Sequence, residues 1–484
     1  MPAVASPSKL LPIDDPALDI GEAKHLMQRL LADKIESFAG IDELRLLLVS
    51  GAQADGVVTE GLTPLHYACH KGYFAAAKLL LVRGAKVNAV DAIGYSALHL
   101  CAERGNYQLL KLLLEYMARV CYVPPNEKLE FPSRDSADEP LRLAIERGHY
   151  ECAKLLLENG ADANTKYFLG PEITLVSPTD TNFLRLLLQF GAEPNVYARD
   201  GMTPLMKACR HREKGIKAIQ ILLDHGANIN TMARERQEFR TALHYGVMSG
   251  SLNLIEFLIE NGANVNMPKT YEKPSPLQIA VMKDNIDIVK YLLDHGADPN
   301  AMHGCFGSAL HISLCTENEF QLEVVEILLK YGADPNINGP DADGRIMKSP
   351  FVEFLRAKED RIPNPNIVLL LLKYGGKIIG KQSQQDPRGQ LRNIANMVKS
   401  APYMAEHLLT LMEEIDKTTL ERLCHSESLP LETRNFLLEK TRTPKSLQQL
   451  CRLRLRSAFQ PLRPETIESL PLPPLMKNFI SGLS

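Results

Sequence analysis

Several features that define common protein classes are missing from this sequence. The net charge is only −3 over 484 residues, so the chain as a whole is not a general nucleic-acid binder. The densest apolar run, residues 367–372, is far shorter than the ~18–20 residues that a membrane helix needs. The first residues lack the basic region and apolar run of a secretory signal. We therefore expect a protein of the cytoplasm, with the nucleus as a second compartment and no membrane partner.

Paired cysteines are also missing. The nine cysteines include no Cys-x-x-Cys pair and no spacing typical of a secreted disulfide framework. Cys69, Cys101 and Cys209 instead lie near the openings of repeated segments. Cysteines in such positions are typical of small buried apolar side chains in a reducing compartment. The cysteines therefore predict neither a metal site nor disulfides.

Motifs of catalytic sites are missing as well. The sequence has no His-Glu-x-x-His zinc motif, no phosphate-binding P-loop and no Gly-x-Ser-x-Gly motif. Four of the thirteen histidines, His66, His99, His244 and His311, recur at one place in the repeated segment. We predict that the chain is not an enzyme and binds no cofactor.

What is present is a repeat. Thr63-Pro64-Leu65-His66 opens one unit, and Ser96-Ala97-Leu98-His99 opens the next, 33 residues later. Thr or Ser can cap a first helix, Pro fits its first turn, and Gly can end the second helix in a left-handed conformation. Further openings begin at Glu139, Thr203, Thr241, Ser275 and Ser308, and matching ends lie at Gly84, Gly160, Gly191, Gly226, Gly262, Gly296 and Gly332. Each unit is too thin to bury its own apolar face, so the units must stack.

This pattern resembles the ankyrin repeat, which has a Thr-Pro-Leu-His-x-Ala signature and a 33-residue period. The resemblance implies an all-α fold, an ankyrin-repeat solenoid of about nine to ten repeats over residues 41–379. It also implies that the signature histidines are structural hydrogen-bonding residues. We count nine openings if a weak unit at residues 171–192 is included, and ten second helices if a half-unit at residues 41–52 is added.

The repeat is interrupted in places. Met117-Ala118 replaces the expected Gly-Ala, a spacer follows at residues 119–137, and the first helix near residues 172–178 is shortened. Such interruptions tend to lie on surface loops and often on a binding face. Tolerated insertions are the alternative interpretation.

Residues 1–40 precede the array. The first twenty are rich in proline and small residues, whereas residues 20–38 predict a helix, with Leu26, Leu30, Leu31 and Ile35 at helical spacing. We expect this helix to cap the open end of the array. A role in regulatory or target contacts is the alternative.

A basic cluster lies at the end of one first helix. It comprises Lys207, Arg210, His211 and Arg212. The cluster could line a groove and bind an acidic segment of a target protein. A solvated turn explains the same residues equally well.

Residues 380–443 no longer follow the repeat. Leu408, Leu411, Met412 and Ile415 recur at helical spacing, which predicts a small helical bundle. The polar stretch at residues 380–389 is the best candidate for a hinge.

Residues 444–484 predict a docking element in two parts. Leu447, Leu450, Cys451 and Leu455 share one stripe of a helix that begins near Pro444. Such an apolar stripe can bind in a groove of a partner protein. The following Leu470-Pro471-Leu472-Pro473 cannot be helical through its prolines, so we expect an extended segment with Leu470 and Leu472 as projecting anchors.

The two parts resemble the elongin box and the cullin-5 box of the SOCS-box family. The first matches Ser446-Leu447-x-x-x-Cys451-x-x-x-Leu455, and the second matches the Leu-Pro-Leu-Pro run at residues 470–473. Together with the repeats, they make the chain similar to ankyrin repeat and SOCS box proteins over almost its whole length. The resemblance implies that residues 444–484 form a helical SOCS box.

The same resemblance implies a function. The chain would be the substrate-recognition adaptor of an elongin B/C and cullin-5 ubiquitin ligase with a RING subunit, holding an unidentified protein for ubiquitination and proteasomal degradation. Leu447, Leu450, Cys451 and Leu455 would bind elongin, and residues 470–473 would bind the cullin. The alternative is an ankyrin scaffold outside any ligase, whose C-terminal helices only cap the solenoid.

Overall fold

The computed structural model describes most of the repeat region and the C-terminal end of the chain. The described residues are 20–121, 138–268, 271, 273–303, 305–316, 319–340, 346–356, 363–377, 379–380, 414–415, 431, 435 and 464–481. The chain divides into two compact units. The first comprises residues 1–208 and 217–228, and the second comprises residues 209–216 and 229–484.

Helices in the repeat region come in pairs, because each short helix has an apolar face that the second helix of the pair covers. The described residues contain ten such pairs: α1 Ile20–Glu36 with α2 Ile41–Val49, α3 Pro64–Lys71 with α4 Phe74–Val82, α5 Ala97–Arg104 with α6 Tyr107–Glu115, α7 Pro140–Glu146 with α8 Tyr150–Glu158, α9 Glu172–Leu175 with α10 Thr181–Gln189, α11 Pro204–Cys209 with α12 Ile216–Asp224, α13 Ala242–Ser249 with α14 Leu252–Glu260, α15 Pro276–Met282 with α16 Ile286–Asp294, α17 Ala309–Cys315 with α18 Gln321–Lys330, and α19 Pro350–Arg356 with α20 Pro365–Lys373.

The pairs stack in register within each unit. In the first unit, α1, α3, α5 and α7 contact one another in sequence, and α2, α4, α6, α8 and α10 do the same. In the second unit, α13, α15, α17 and α19 form one row, and α14, α16, α18 and α20 form the other. The apolar core therefore runs along each stack, as the resemblance to ankyrin repeats implied.

Helix α1 takes the place of a first helix. It contacts α2 and α3, just as α3 contacts α4 and α5. It therefore completes the half-unit that the sequence showed at residues 41–52, and the count of ten pairs agrees with the ten predicted second helices. Leu31 and Ile35 are fully buried, but Leu26 and Leu30 are 63% and 40% exposed, so the predicted apolar stripe is only partly covered.

The turns that end the second helices follow the sequence pattern. Glycine has φ between 82° and 93° at eight of them: Gly84, Gly160, Gly191, Gly226, Gly262, Gly296, Gly332 and Gly375. Met117 makes the same turn with φ of 62°, and the N–H of Ala118 still donates to the carbonyl of Leu113 (3.0 Å). The geometry is therefore kept where the sequence departs from glycine, although a left-handed conformation is costly for methionine.

Asparagines tie each turn to the next pair. In each case the side-chain nitrogen donates to a backbone carbonyl in the next turn, and the side-chain oxygen accepts from a backbone N–H two residues further on, at 2.7–3.4 Å. These residues are Asn88, Asn164, Asn195, Asn230, Asn266, Asn300 and Asn336. The recurring asparagine of the sequence is thus a bridge between neighbouring pairs.

In the described part of the chain, three two-stranded ladders accompany the helices. Strands β1 (Lys166–Tyr167) and β2 (Gly170–Pro171) are antiparallel, as are β3 (Gly339–Pro340) and β4 (Ile346–Met347). Strand β5 (Ile379–Gly380) pairs in parallel with β6 (Glu414–Ile415). The helical assignment of Ile415 was therefore wrong, because its backbone pairs with a strand at the end of the array; the other residues predicted to form the helical bundle lie outside the described residues.

Residues 464–481 form two short helices. They are α21 (Pro464–Ser469) and α22 (Pro474–Ser481), and each begins with a proline, which fits the first turn of a helix. Of the spacer predicted at residues 119–137, residues 122–137 lie outside the described residues.

Candidate protein-docking sites

The four residues predicted to bind a cullin lie between α21 and α22. The N–H of Leu472 donates to the carbonyl of Leu470 (2.7 Å), and the N–H of Leu470 donates to the carbonyl of Ile467 (3.2 Å). The chain therefore bends at residues 470–472. The extended course expected from the prolines alone was wrong.

A small apolar cluster supports this bend. Ile467 and Ile480 are 2% and 0% exposed, and the partly buried Leu472 packs against them. Pro471 and Pro473 are exposed. Leu472 therefore holds α21 and α22 together, and the two prolines offer the free surface. Ile467 was not predicted from the sequence, although its position three residues before Leu470 is compatible with a shared helix face.

The elongin-binding prediction concerns Leu447, Leu450, Cys451 and Leu455. All four lie outside the described residues. Their role stays a prediction from the sequence.

The predicted basic cluster is not uniform. The ammonium group of Lys207 donates to the carbonyl of Thr174 (3.0 Å) and lies 3.5 Å from the carboxylate of Asp200. Lys207 is therefore engaged within the first unit. Arg210 and Arg212, with His211 between them, are exposed and belong to the second unit.

The shortened first helix of the fifth pair is confirmed, since α9 has only four residues. A small pocket, partly open to solvent, lies beside it and is lined by Ile173, Val176, Leu184, Ala208 and Leu222 among others. The interruption in the sequence thus lies beside a shallow depression of the first unit.

A buried ion pair lies at the same point of the stack. Arg142 on α7 contacts the carboxylate of Glu172 at 3.3 Å, and the Glu172 side chain is 0% exposed. The second carboxylate oxygen of Glu172 and the hydroxyl of Tyr167 are both buried without a hydrogen-bond partner. Burial raises the pKa of Glu172 to about 7, although the positive charge of Arg142 opposes the shift. This pair was not predicted from the sequence, where its signal was an Arg at a repeat position that holds His in four other repeats.

The signature histidines are structural, as the resemblance implied. The N–H of Thr63 donates to Nδ1 of His66 (3.1 Å), and Nε2 of His66 lies 3.2 Å from the carbonyl of Tyr95 in the next pair. Burial lowers the pKa of His99 to about 4 and that of His244 to about 3, so both rings stay neutral. A neutral ring that accepts at Nδ1 carries its proton on Nε2 and can donate to a backbone carbonyl of the next helix pair.

The three cysteines of the repeat openings have the buried, apolar role that was predicted for them, whereas Cys305 and Cys315 are exposed. Cys69, Cys101 and Cys209 are fully buried, and burial raises the pKa of the Cys101 thiol. Among the described residues, no group of three or more His, Cys, Asp or Glu side chains is arranged to hold a metal ion. In the same part of the chain, no helix is long and apolar enough to cross a membrane.

Comparison with known families identifies both parts of the chain. A family model for ankyrin repeats in three copies matches residues 37–124, 176–269 and 267–339, which is more than half of the chain, and a single ankyrin repeat matches residues 139–167. The SOCS box model matches residues 443–481. That match includes residues 470–473.

Curated relatives share only segments with the chain. "Transient receptor potential channel pyrexia" of Drosophila melanogaster is 36% identical over 97 residues, covering 20% of this chain and 9% of that protein. "Ankyrin repeat and SOCS box protein 2" of Homo sapiens is 39% identical over 80 residues, covering 16% of this chain and 12% of that protein. The chain thus spans about a tenth of the length of these relatives.

A solved structure with a similar sequence is the human ASB11 ankyrin repeat domain. It is 25% identical, covers 48% of this chain and 98% of its own chain, and has a TM-score of 0.38. The family assignment rests on the two family models, which match the stacked helix pairs and the C-terminal segment. The chain belongs to the ankyrin repeat and SOCS box protein family.

Proposed function

We propose that this chain is the substrate-recognition subunit of a cullin-RING ubiquitin ligase. Its ankyrin array binds a target protein, and its SOCS box binds elongin B/C and a cullin-5 scaffold that carries the RING subunit. The observation that carries the proposal is the SOCS box match at residues 443–481 behind an ankyrin array that covers over half of the chain.

The chain contributes proximity rather than chemistry. A target held on the array meets the ubiquitin-carrying enzyme at a high local concentration, which replaces a bimolecular encounter by a local one. The buried thiols of Cys69 and Cys101 fit the reducing cytoplasm or nucleus, where we place the complex.

The elongin contact can be tested by co-purification. We expect wild-type chain to bind elongin B/C and the double substitution Leu447→Ser with Cys451→Phe to abolish binding, since a polar group and a bulky ring would replace two apolar contacts. Leu453→Ser is the matched control, because Leu453 lies off the predicted apolar stripe. Failure of the wild type to bind elongin B/C, or full binding by the double variant, would contradict the proposal that the chain is a ligase subunit.

The cullin contact needs a separate variant. Replacing residues 470–473 by alanine should leave elongin binding intact and weaken cullin binding. Replacing Leu429, Pro430 and Leu431 by alanine is the control, because this similar run is followed by Glu432 rather than by proline. Because Leu472 also joins α21 to α22, we add Pro471→Ala with Pro473→Ala, which changes only exposed side chains. Loss of both partners in this milder variant would indicate unfolding rather than a cullin contact.

The target surface is proposed to include Arg210, His211 and Arg212. Their exposed side chains offer positive charge to an acidic segment of the target. Lys207 contributes less, because its ammonium group already contacts Thr174 and Asp200. Charge reversal at Arg210 and Arg212 should reduce the cross-linking of targets in a cell lysate, whereas reversal at the exposed Arg45 should not.

A further inference from the structure

The first helix pair has an apolar face that nothing in the described structure covers. On α1, Leu26 is 63% exposed and Leu30 is 40% exposed, and on α2 Leu46 is 67% exposed. Leu47 on α2 is only partly buried. We call these four leucines the N-terminal face. Solenoid proteins normally close such an end with polar residues, because an open apolar end promotes association.

Equivalent positions elsewhere show how unusual this exposure is. Leu47 lies four residues before Gly51, which closes its pair, and the leucines at the same distance from the closing turn in the other nine pairs are at most 1% exposed. They are Leu80, Leu113, Leu156, Leu187, Leu222, Leu258, Leu292, Leu328 and Leu371. Among the described residues no helix pair precedes the first one, so Leu47 lacks the cover that the nine equivalent leucines have.

An ion pair places the leucines of the two helices side by side. The ammonium group of Lys34 on α1 contacts the carboxylate of Glu43 on α2 at 3.0 Å. Leu30 lies one helical turn before Lys34, and Leu46 and Leu47 lie one turn after Glu43. The leucines of α1 and α2 thus border the same ion pair and form one continuous surface.

Two opposite charges lie on the same side of α1. Arg29 and Asp33 are exposed, they neighbour Leu26 and Leu30, and among the described residues neither side chain makes an ion pair. A face with one positive and one negative group beside an apolar centre is complementary to itself in the antiparallel direction. The two charges therefore favour an identical face, in antiparallel orientation, as the binding partner of this surface.

We propose that the N-terminal face binds the same face of a second copy of this chain. The two copies are related by a two-fold axis close to Leu30, so that their α1 helices run antiparallel. Leu26, Leu30, Leu46 and Leu47 of one copy pack against the same four leucines of the other, and Arg29 of each copy lies opposite Asp33 of the other.

This dimer goes beyond the ligase proposal and does not depend on it. A dimer would present two target-binding arrays, and a target with two recognition segments would gain avidity from their linkage.

Sedimentation of the full chain tests the dimer. We expect a mass of twice 53.9 kDa at high concentration and dissociation on dilution. Leu30→Glu should weaken association at least about tenfold, because a charge would replace an apolar group at the centre of the contact. Val82→Glu is the matched control, since Val82 is 64% exposed on α4, away from the face. Thermal melting checks that each variant is folded.

A charge swap makes the test independent of folding. Arg29→Asp alone and Asp33→Arg alone should each weaken the dimer, because like charges would then meet across the axis. Combining the two substitutions should restore the wild-type dissociation constant. A chain that remains monomeric at all concentrations, or a dimer insensitive to Leu30→Glu, would overturn the proposal. So would a monomer that dimerises only after removal of residues 1–18, since the face would then be covered by the chain's own N-terminal residues.

Discussion

Replacing Glu172 by glutamine should change how the stability of the fold depends on pH. Glutamine resembles a protonated glutamic acid in size and shape, but it cannot ionise. Because burial raises the pKa of Glu172 from 4.5 to about 7, the folded chain holds this proton more tightly than the unfolded chain does. The stabilising contribution is fully present below pH 4.5 and is lost as the pH rises through 7.

The size of the effect follows from the two pKa values. Each pH unit between them corresponds to about 1.4 kcal/mol, so ionisation of Glu172 lowers the free energy of unfolding by about 3 kcal/mol in total. The attraction of Arg142 at 3.3 Å is already included in this raised pKa. We therefore expect Glu172→Gln to match the wild type near pH 4.5 and to be about 3 kcal/mol more stable at pH 8.

Urea unfolding followed by circular dichroism at pH 4.5, 6, 7 and 8 measures this difference. The difference between the two proteins isolates Glu172, because every other titrating group is common to both. Glu158→Gln is the control, since Glu158 is an exposed residue of α8 that contacts Lys154 at 3.9 Å. If the difference in the free energy of unfolding between wild type and Glu172→Gln changes by less than about 0.5 kcal/mol across this range, the pKa of Glu172 is not raised by burial.

Three further substitutions test other parts of the stack. Burial lowers the pKa of His244 to about 3, so its contribution to stability is present above pH 6.5 and is lost as the pH falls towards 3. In His244→Gln, which copies the glutamine at the equivalent position 278, the free energy of unfolding should fall less between pH 7 and pH 5 than in the wild type, as measured by urea unfolding. Met117→Gly should raise the free energy of unfolding by about 1 kcal/mol, because glycine adopts a φ of 62° without strain; no gain in denaturant unfolding would refute this. Asn266→Ala removes hydrogen bonds of 2.7 and 2.8 Å to the next turn and should cost about 2 kcal/mol, whereas loss of the exposed Asn253 side chain should cost less in the same assay.

The repeat made most of the fold predictable, because its signals are local. The opening Thr241-Ala242-Leu243-His244 places a capping residue, two buried apolar residues and a structural histidine within one turn. The closing glycines need no partner elsewhere in the chain to favour a left-handed turn. Such signals act through neighbouring residues, so a single sequence reveals them.

Contacts between distant segments were not predictable in the same way. The spacing around Ile415 is compatible with a helix, but its strand partner is Gly380, more than thirty residues earlier. The bend at residues 470–472 likewise depends on Leu472 meeting Ile480 across two helices. Periodicity shows which residues can share a face, whereas the partner of that face depends on the rest of the chain.

The interrupted fifth pair shows how one substitution in a repeat can require another in the next. At one repeat position, neutral histidines such as His66 and His311 contact a backbone carbonyl of the next helix pair. In the fourth pair this position is occupied by Arg142. The guanidinium of Arg142 instead contacts the carboxylate of Glu172, in the first turn of α9, at 3.3 Å. This attraction opposes the effect of burial on Glu172 without cancelling it, because the pKa of Glu172 is still raised to about 7. The weak unit that the sequence presents as degenerate is therefore matched to its neighbour, and restoring histidine at position 142 alone would leave the Glu172 carboxylate buried without a counterion.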